Sequence, residues 1–66
     1  MNKFSETLTY YRQLSKLTQR QLAALLNVTP NNIGHWEKGR TEPNLDTLIK
    51  LSEIFNLSID ELIKGQ

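Results

Sequence analysis

The chain has 66 residues, enough for one small domain over residues 1–66 but not for a core that also encloses a large substrate cavity. It contains no cysteine, which excludes disulfides, thiolate metal sites and thiol catalysis, and no apolar run reaches transmembrane length. The net charge of +1 says little until its distribution is read. Over residues 15–40, Lys16, Arg20, Lys38 and Arg40 stand against a single acid, Glu37, a local balance of +3. Over residues 41–66, Lys50 and Lys64 stand against Glu42, Asp46, Glu53, Asp60 and Glu61, a balance of −3. A basic segment backed by an acidic one is the electrostatic footprint of a phosphate-backbone binder. MNKFSETLTYY, at the start, has no apolar stretch of signal-peptide length, so the expectation is a soluble cytoplasmic domain with no membrane partner.

Taken in order, Phe4, Leu8 and Tyr11 recur at helical spacing and Leu14 continues the stripe, which predicts a first helix with these residues in the core. Thr18-Gln19-Arg20-Gln21 is a capping box and opens a second helix, with Leu22, Ala23 and Leu26 buried and Asn27 as a left-handed stop. Thr29-Pro30 restarts the chain as N-cap and first helical residue. Ile33 and Trp36 point inward from this third helix, and Gly39 ends it after eight or nine residues. Asn44 caps a fourth helix carrying Leu45, Leu48, Ile49, Leu51, Ile54 and Phe55, which Asn56 ends. Ser58-Ile59-Asp60-Glu61 is a second capping box and opens a fifth helix, with Leu62 and Ile63 inward or at an interface. No segment alternates with period two for long enough to be a strand. The expected fold class is all-α, a compact domain of five short helices.

Little in this inventory supports catalysis. The only histidine, His35, has no cysteine to pair with, and Asp60 and Glu61 sit at a helix start where the dipole favours acids. No spacing matches a metal site, and Gly34, Gly39 and Gly65 form no phosphate loop. The reading is not an enzyme, with no cofactor and no metal.

The second and third helices, joined by a turn of about four residues, have the form of a helix-turn-helix. Asn31, Asn32 and His35 fall opposite Ile33 and Trp36 at 100° per residue and face solvent. Asparagine can pair with adenine N6 and N7, and histidine can donate to guanine. This outer face carries no acid that would repel DNA.

Several motifs resemble the Cro/repressor-type helix-turn-helix family, also called the Xre family. They are Leu17-Thr18-Gln19-Arg20-Gln21-Leu22-Ala23, Val28-Thr29 with Ile33 and Trp36-Glu37-Lys38-Gly39, Pro43-Asn44-Leu45-Asp46-Thr47-Leu48, and Leu57-Ser58-Ile59-Asp60-Glu61-Leu62. The resemblance runs from about Leu8 to Leu62 and implies a lambda-repressor-like fold that binds double-stranded operator DNA, with the third helix in the major groove. It implies base reading by Asn31, Asn32 and His35. Thr18, Gln19, Arg20, Thr29, Lys38, Arg40 and Thr41 would meet or flank phosphates, with Gln19 also bracing the third helix. Arg12 and Glu37 would form a structural ion pair between the first and third helices. The chain departs from the family at Lys16, where many members have glycine, so a left-handed Lys16 or a different turn is expected. It departs again at Pro30, where many members have a base-reading side chain, and at Leu25, where a polar residue is usual.

These readings converge on a prokaryotic or phage transcriptional regulator, a repressor acting as a homodimer on a palindromic operator. Phe55, Leu57, Ile59, Leu62 and Ile63 form the expected dimer face. The alternative is an antitoxin or phage switch component acting through a protein partner, a toxin or a second phage regulator.

Overall fold

The computed structural model describes residues 3–65; the expectations for Met1 and Asn2, at the start of the expected domain, and for Gln66, at its end, lie outside the described residues. Five helices follow in order: α1 (Phe4–Leu14), α2 (Gln19–Leu26), α3 (Pro30–Glu37), α4 (Leu45–Phe55) and α5 (Ile59–Lys64). Their starts are local chemistry. Thr18, Thr29, Asn44 and Ser58 each accept, through a side-chain oxygen, the backbone N–H three residues on. At Thr18 and Ser58 the box closes: Gln21 Oε1 accepts from the Thr18 N–H at 2.8 Å, and Glu61 Oε1 from the Ser58 N–H at 2.8 Å. Thr18→Ala is expected to cost about 1 kcal/mol, read from the urea midpoint, because it orphans a donor of α2's first turn.

The helix ends share one device. Leu17, Val28, Arg40 and Leu57 each donate their N–H to the carbonyl five residues back, closing α1 to α4. The residue before each donor is left-handed: Lys16 at φ 59°, Asn27 at 57°, Gly39 at 73° and Asn56 at 54°. Asparagine and glycine suit that conformation; lysine does not. Lys16→Gly is therefore expected to raise stability by about 0.5–1 kcal/mol. A urea titration showing no gain would mean that the turn before α2 carries no strain.

The helices enclose one core. Phe4 and Leu8 of α1, Leu22, Ala23 and Leu26 of α2, and Ile33 and Trp36 of α3 are buried together with Leu48 and Leu51 of α4 and Leu62 of α5. Leu17, Val28, Phe55 and Leu57 pack around the rim. The molecule measures 25 × 23 × 21 Å, so α2 and α3 lie at one surface with little depth beneath them.

Two expectations are corrected here. Leu14 is 61% exposed and is not core. It lies about 80° around α1 from Phe4 and sits in the last turn before the chain reverses, so the stripe has drifted off the packed face. Leu62 is fully buried and cannot serve a dimer face. The end of α5 folds back on the start of α1, where the Lys3 N–H donates to the Ile63 carbonyl at 2.9 Å, and that closure consumes Leu62. Phe55 is half-buried too, its ring 6.1 Å from that of Tyr11. The large apolar side chains left exposed on α4 are Leu45, Ile49 and Ile54.

Candidate nucleic-acid interface

The α2–turn–α3 unit is set by its caps and by one buried ion pair. Thr29 and Pro30 start α3 immediately after the stop at Asn27, leaving only Val28 between them to point inward as a half-buried residue. Ile33 and Trp36 anchor α3 from below, at 0% and 6% exposure. Beyond Trp36, Glu37 closes the helix into a network. Arg12 Nε donates to Glu37 Oε2 at 2.6 Å and Arg12 Nη2 to Glu37 Oε1 at 3.2 Å. Arg12 Nη1 donates to the Leu17 carbonyl at 2.8 Å, and Gln19 Nε2 donates to Glu37 Oε1 at 3.0 Å. One acid thereby ties α1, the α1–α2 turn, α2 and α3 together. The acid in the basic segment is thus turned inward, with its side chain only 8% exposed.

The outward groups are arranged differently from their spacing in sequence. Thr18, Gln19, Arg20, Thr29, Asn31, Asn32, His35, Lys38, Arg40 and Thr41 are all exposed. A cleft of about 180 Å³ runs between the start of α2 and α3, lined by Gln19, Pro30, Asn31, Gly34, His35 and Lys38. It brings Asn31 and His35 together with Lys38. Asn32 is exposed but does not line it; its backbone N–H donates to the Thr29 hydroxyl at 3.4 Å. From the sequence, Gly34 is a bare position that lets α3 lie closer to a groove; what the sequence does not show is that Gln19 lies alongside it. Pro30, Gly34 and Glu37 recur at i, i+4 and i+7, a flank without a polar side chain until the Glu37 carboxylate, and Gln19 lies along it. That spacing was the available signal.

Positive charge surrounds this surface. Arg20, Lys38 and Arg40 are exposed, and α3 contains no acid other than Glu37. Among the described residues, no group of His, Cys, Asp and Glu could hold a metal ion. No helix of the described residues is long and apolar enough to cross a membrane.

Known proteins share both sequence and shape with this chain. A family model described as helix-turn-helix matches residues 8–62. The transcriptional activator BcrR of Enterococcus faecalis is 41% identical over 64 residues, which cover 97% of this chain and 31% of BcrR. The crystal structure of the P22 c2 repressor with a synthetic operator superposes with a TM-score of 0.89 at 33% identity, covering 96% of each chain. The same fold matches 33% of the hydroxypropylphosphonic acid epoxidase of S. wedmorenis, with a TM-score of 0.82 and 32% identity over 94% of this chain. The chain spans between 31% and 57% of the length of the first curated relatives it matches, which are transcription regulators by name and not enzymes. With the family pattern over most of its length and the fold of an operator-binding repressor domain, the chain belongs to the Cro/repressor-type (Xre) helix-turn-helix family of DNA-binding domains.

Proposed function

We propose that residues 1–66 form one domain that binds a palindromic operator as a homodimer and represses transcription by occupying it. The observation that carries this reading is the acid-free outer face of α3, with Asn31 and His35 beside a cleft flanked by Lys38 and backed by an inward-turned Glu37. In this reading α3 enters the major groove, and Asn31, Asn32 and His35 meet base edges. Thr18, Gln19, Arg20, Thr29, Lys38, Arg40 and Thr41 lie toward the phosphates on either side. Two copies would place their α3 helices about one helical turn of DNA apart. Of the apolar residues near the end of the chain, Phe55, Leu57, Ile59 and Ile63 keep partial exposure for a partner copy, with Ile54 beside them in sequence.

Selection of random duplex DNA by the purified protein at near-physiological salt tests this reading. A two-fold consensus is the expected result. Weak binding without enrichment, lost as salt rises, would overturn it and leave the protein-partner alternative. Given a consensus, Asn31→Ala is expected to relax one base position in each half-site and to cost about 1–3 kcal/mol of binding. Uniform weakening on all sequences would instead make Asn31 a backbone contact.

A further inference from the structure

We propose that Lys16 is a phosphate contact: its ammonium group pairs with the DNA backbone beside the start of α2, and the turn before α2 holds it there at a cost in stability. The assignment rests on the operator-binding reading and adds a residue to its phosphate-facing set.

Four helix ends share one closure, and the left-handed residue in it is Asn27, Gly39, Asn56 or Lys16. Asparagine and glycine take that conformation readily, whereas a lysine Cβ crowds the following carbonyl. The closure makes no use of the lysine side chain. Its bonds run from the Lys16 N–H to the Gln13 carbonyl at 2.9 Å and from the Leu17 N–H to the Arg12 carbonyl at 3.1 Å, and glycine would make both. Lys16 is exposed, so packing does not offset the strain. A strained residue whose side chain serves nothing inside the fold points to a use outside it.

Charge supplies that use. From Thr7 to Trp36 the sequence has no acid, and Glu37, which follows, is taken up by Arg12. Lys3 and Lys64 stand 3.7 and 3.9 Å from Glu6 and Asp60. Among the described residues Lys16 makes no such pair, and neither do Arg20, Lys38 and Arg40 of the basic segment or Lys50 on α4. An unpaired ammonium in a stretch without acids is suited to replace the counterions of a polyanion. Its position fits as well. Lys16 stands two residues before Thr18, the N-cap of α2, whose first N–H groups have no carbonyl partner within the helix and favour an anion. The turn is also held. Arg12 Nη1 donates to the Leu17 carbonyl at 2.8 Å while Nε and Nη2 hold Glu37 at the end of α3, so the backbone next to Lys16 is fixed relative to α3.

The test compares wild type with Lys16→Gln, Lys16→Arg and Lys16→Gly, each titrated against the consensus duplex and a scrambled duplex over a range of salt. Lys16→Gln keeps the backbone strain and removes the charge. It is expected to bind both duplexes roughly fivefold more weakly per subunit at near-physiological salt, the worth of one released counterion, with a log–log salt slope shallower by about 0.9 per subunit. Lys16→Arg is expected to keep the wild-type slope. Lys16→Gly is expected to lose the same affinity while gaining stability, so that loss cannot come from unfolding. Wild-type affinity and slope in Lys16→Gln would overturn the proposal. A loss confined to the consensus, with an unchanged slope, would overturn it too, because that marks a contact to a base. The scrambled duplex separates this assignment from the reading beneath it. If selection yields no consensus, the operator reading falls, and the slope on scrambled DNA still decides Lys16. A wild-type chain that binds no duplex even at low salt overturns both.

Discussion

Replacing Arg12 with alanine is expected to cost about 3–5 kcal/mol, because it leaves the Glu37 carboxylate desolvated and unpaired. The side chains of the pair are 13% and 8% exposed, and the guanidinium makes two bonds to the carboxylate and one to the Leu17 carbonyl. Removing it leaves Gln19 Nε2 as the described side-chain donor to Glu37 and takes a donor from the turn before α2. A chain of this size has a total stability of roughly 3–10 kcal/mol, so the variant should lose a large share of it. Urea titration followed by circular dichroism measures this directly. Replacing both partners, Arg12→Met with Glu37→Leu, should recover much of the loss, since apolar residues carry no desolvation penalty. A single-variant loss below 1 kcal/mol would mean that the pair behaves as an ordinary surface bridge.

Trp36→Ala is the second large effect, expected at about 3–5 kcal/mol from lost burial and the cavity left behind. Trp36 is 6% exposed on the inner face of α3 in its last turn, just before Glu37. Beside it lies a small gap of about 40 Å³ lined also by Phe4, Ser5 and Gly39, so the start of α1 and the end of α3 meet there. The truncation should loosen α3 against α1 as well as destabilise the fold. Where a folded fraction remains at low temperature, its DNA affinity is expected to fall too, although Trp36 reaches no solvent-facing site. The measurement is a thermal melt by circular dichroism, with binding assayed below the midpoint. Wild-type affinity in the folded fraction would separate the core role of Trp36 from any role in aiming α3.

The starts of α2 to α5 and the ends of α2 to α4 were legible because their causes are local. A threonine, serine or asparagine side chain reaches a backbone N–H three residues away, and a left-handed residue closes a bond across five. The outward placement of Asn31 and His35 followed from the 100° step and the anchors Ile33 and Trp36. The ion pair is another matter. Arg12 and Glu37 are 25 positions apart, and their pairing came from the resemblance, not from spacing.

Side chains on the short last helix could not be sorted from sequence, because a six-residue helix between two others offers apolar residues to both sides. Leu62 went to the core because α5 folds back on the start of α1, and Leu14 went to solvent because α1's stripe drifts away from its packed face. The direction of the Gln19 amide was beyond local reasoning for a similar reason, since its partner lies 18 residues away on another helix. What the sequence by itself determined is where each helix of the binding unit starts and stops, because those hydrogen bonds span three to five residues. What only the tertiary structure decided is which apolar side chains are spent inside and which polar atoms are aimed outward, because both depend on neighbours that folding brings together from distant parts of the chain.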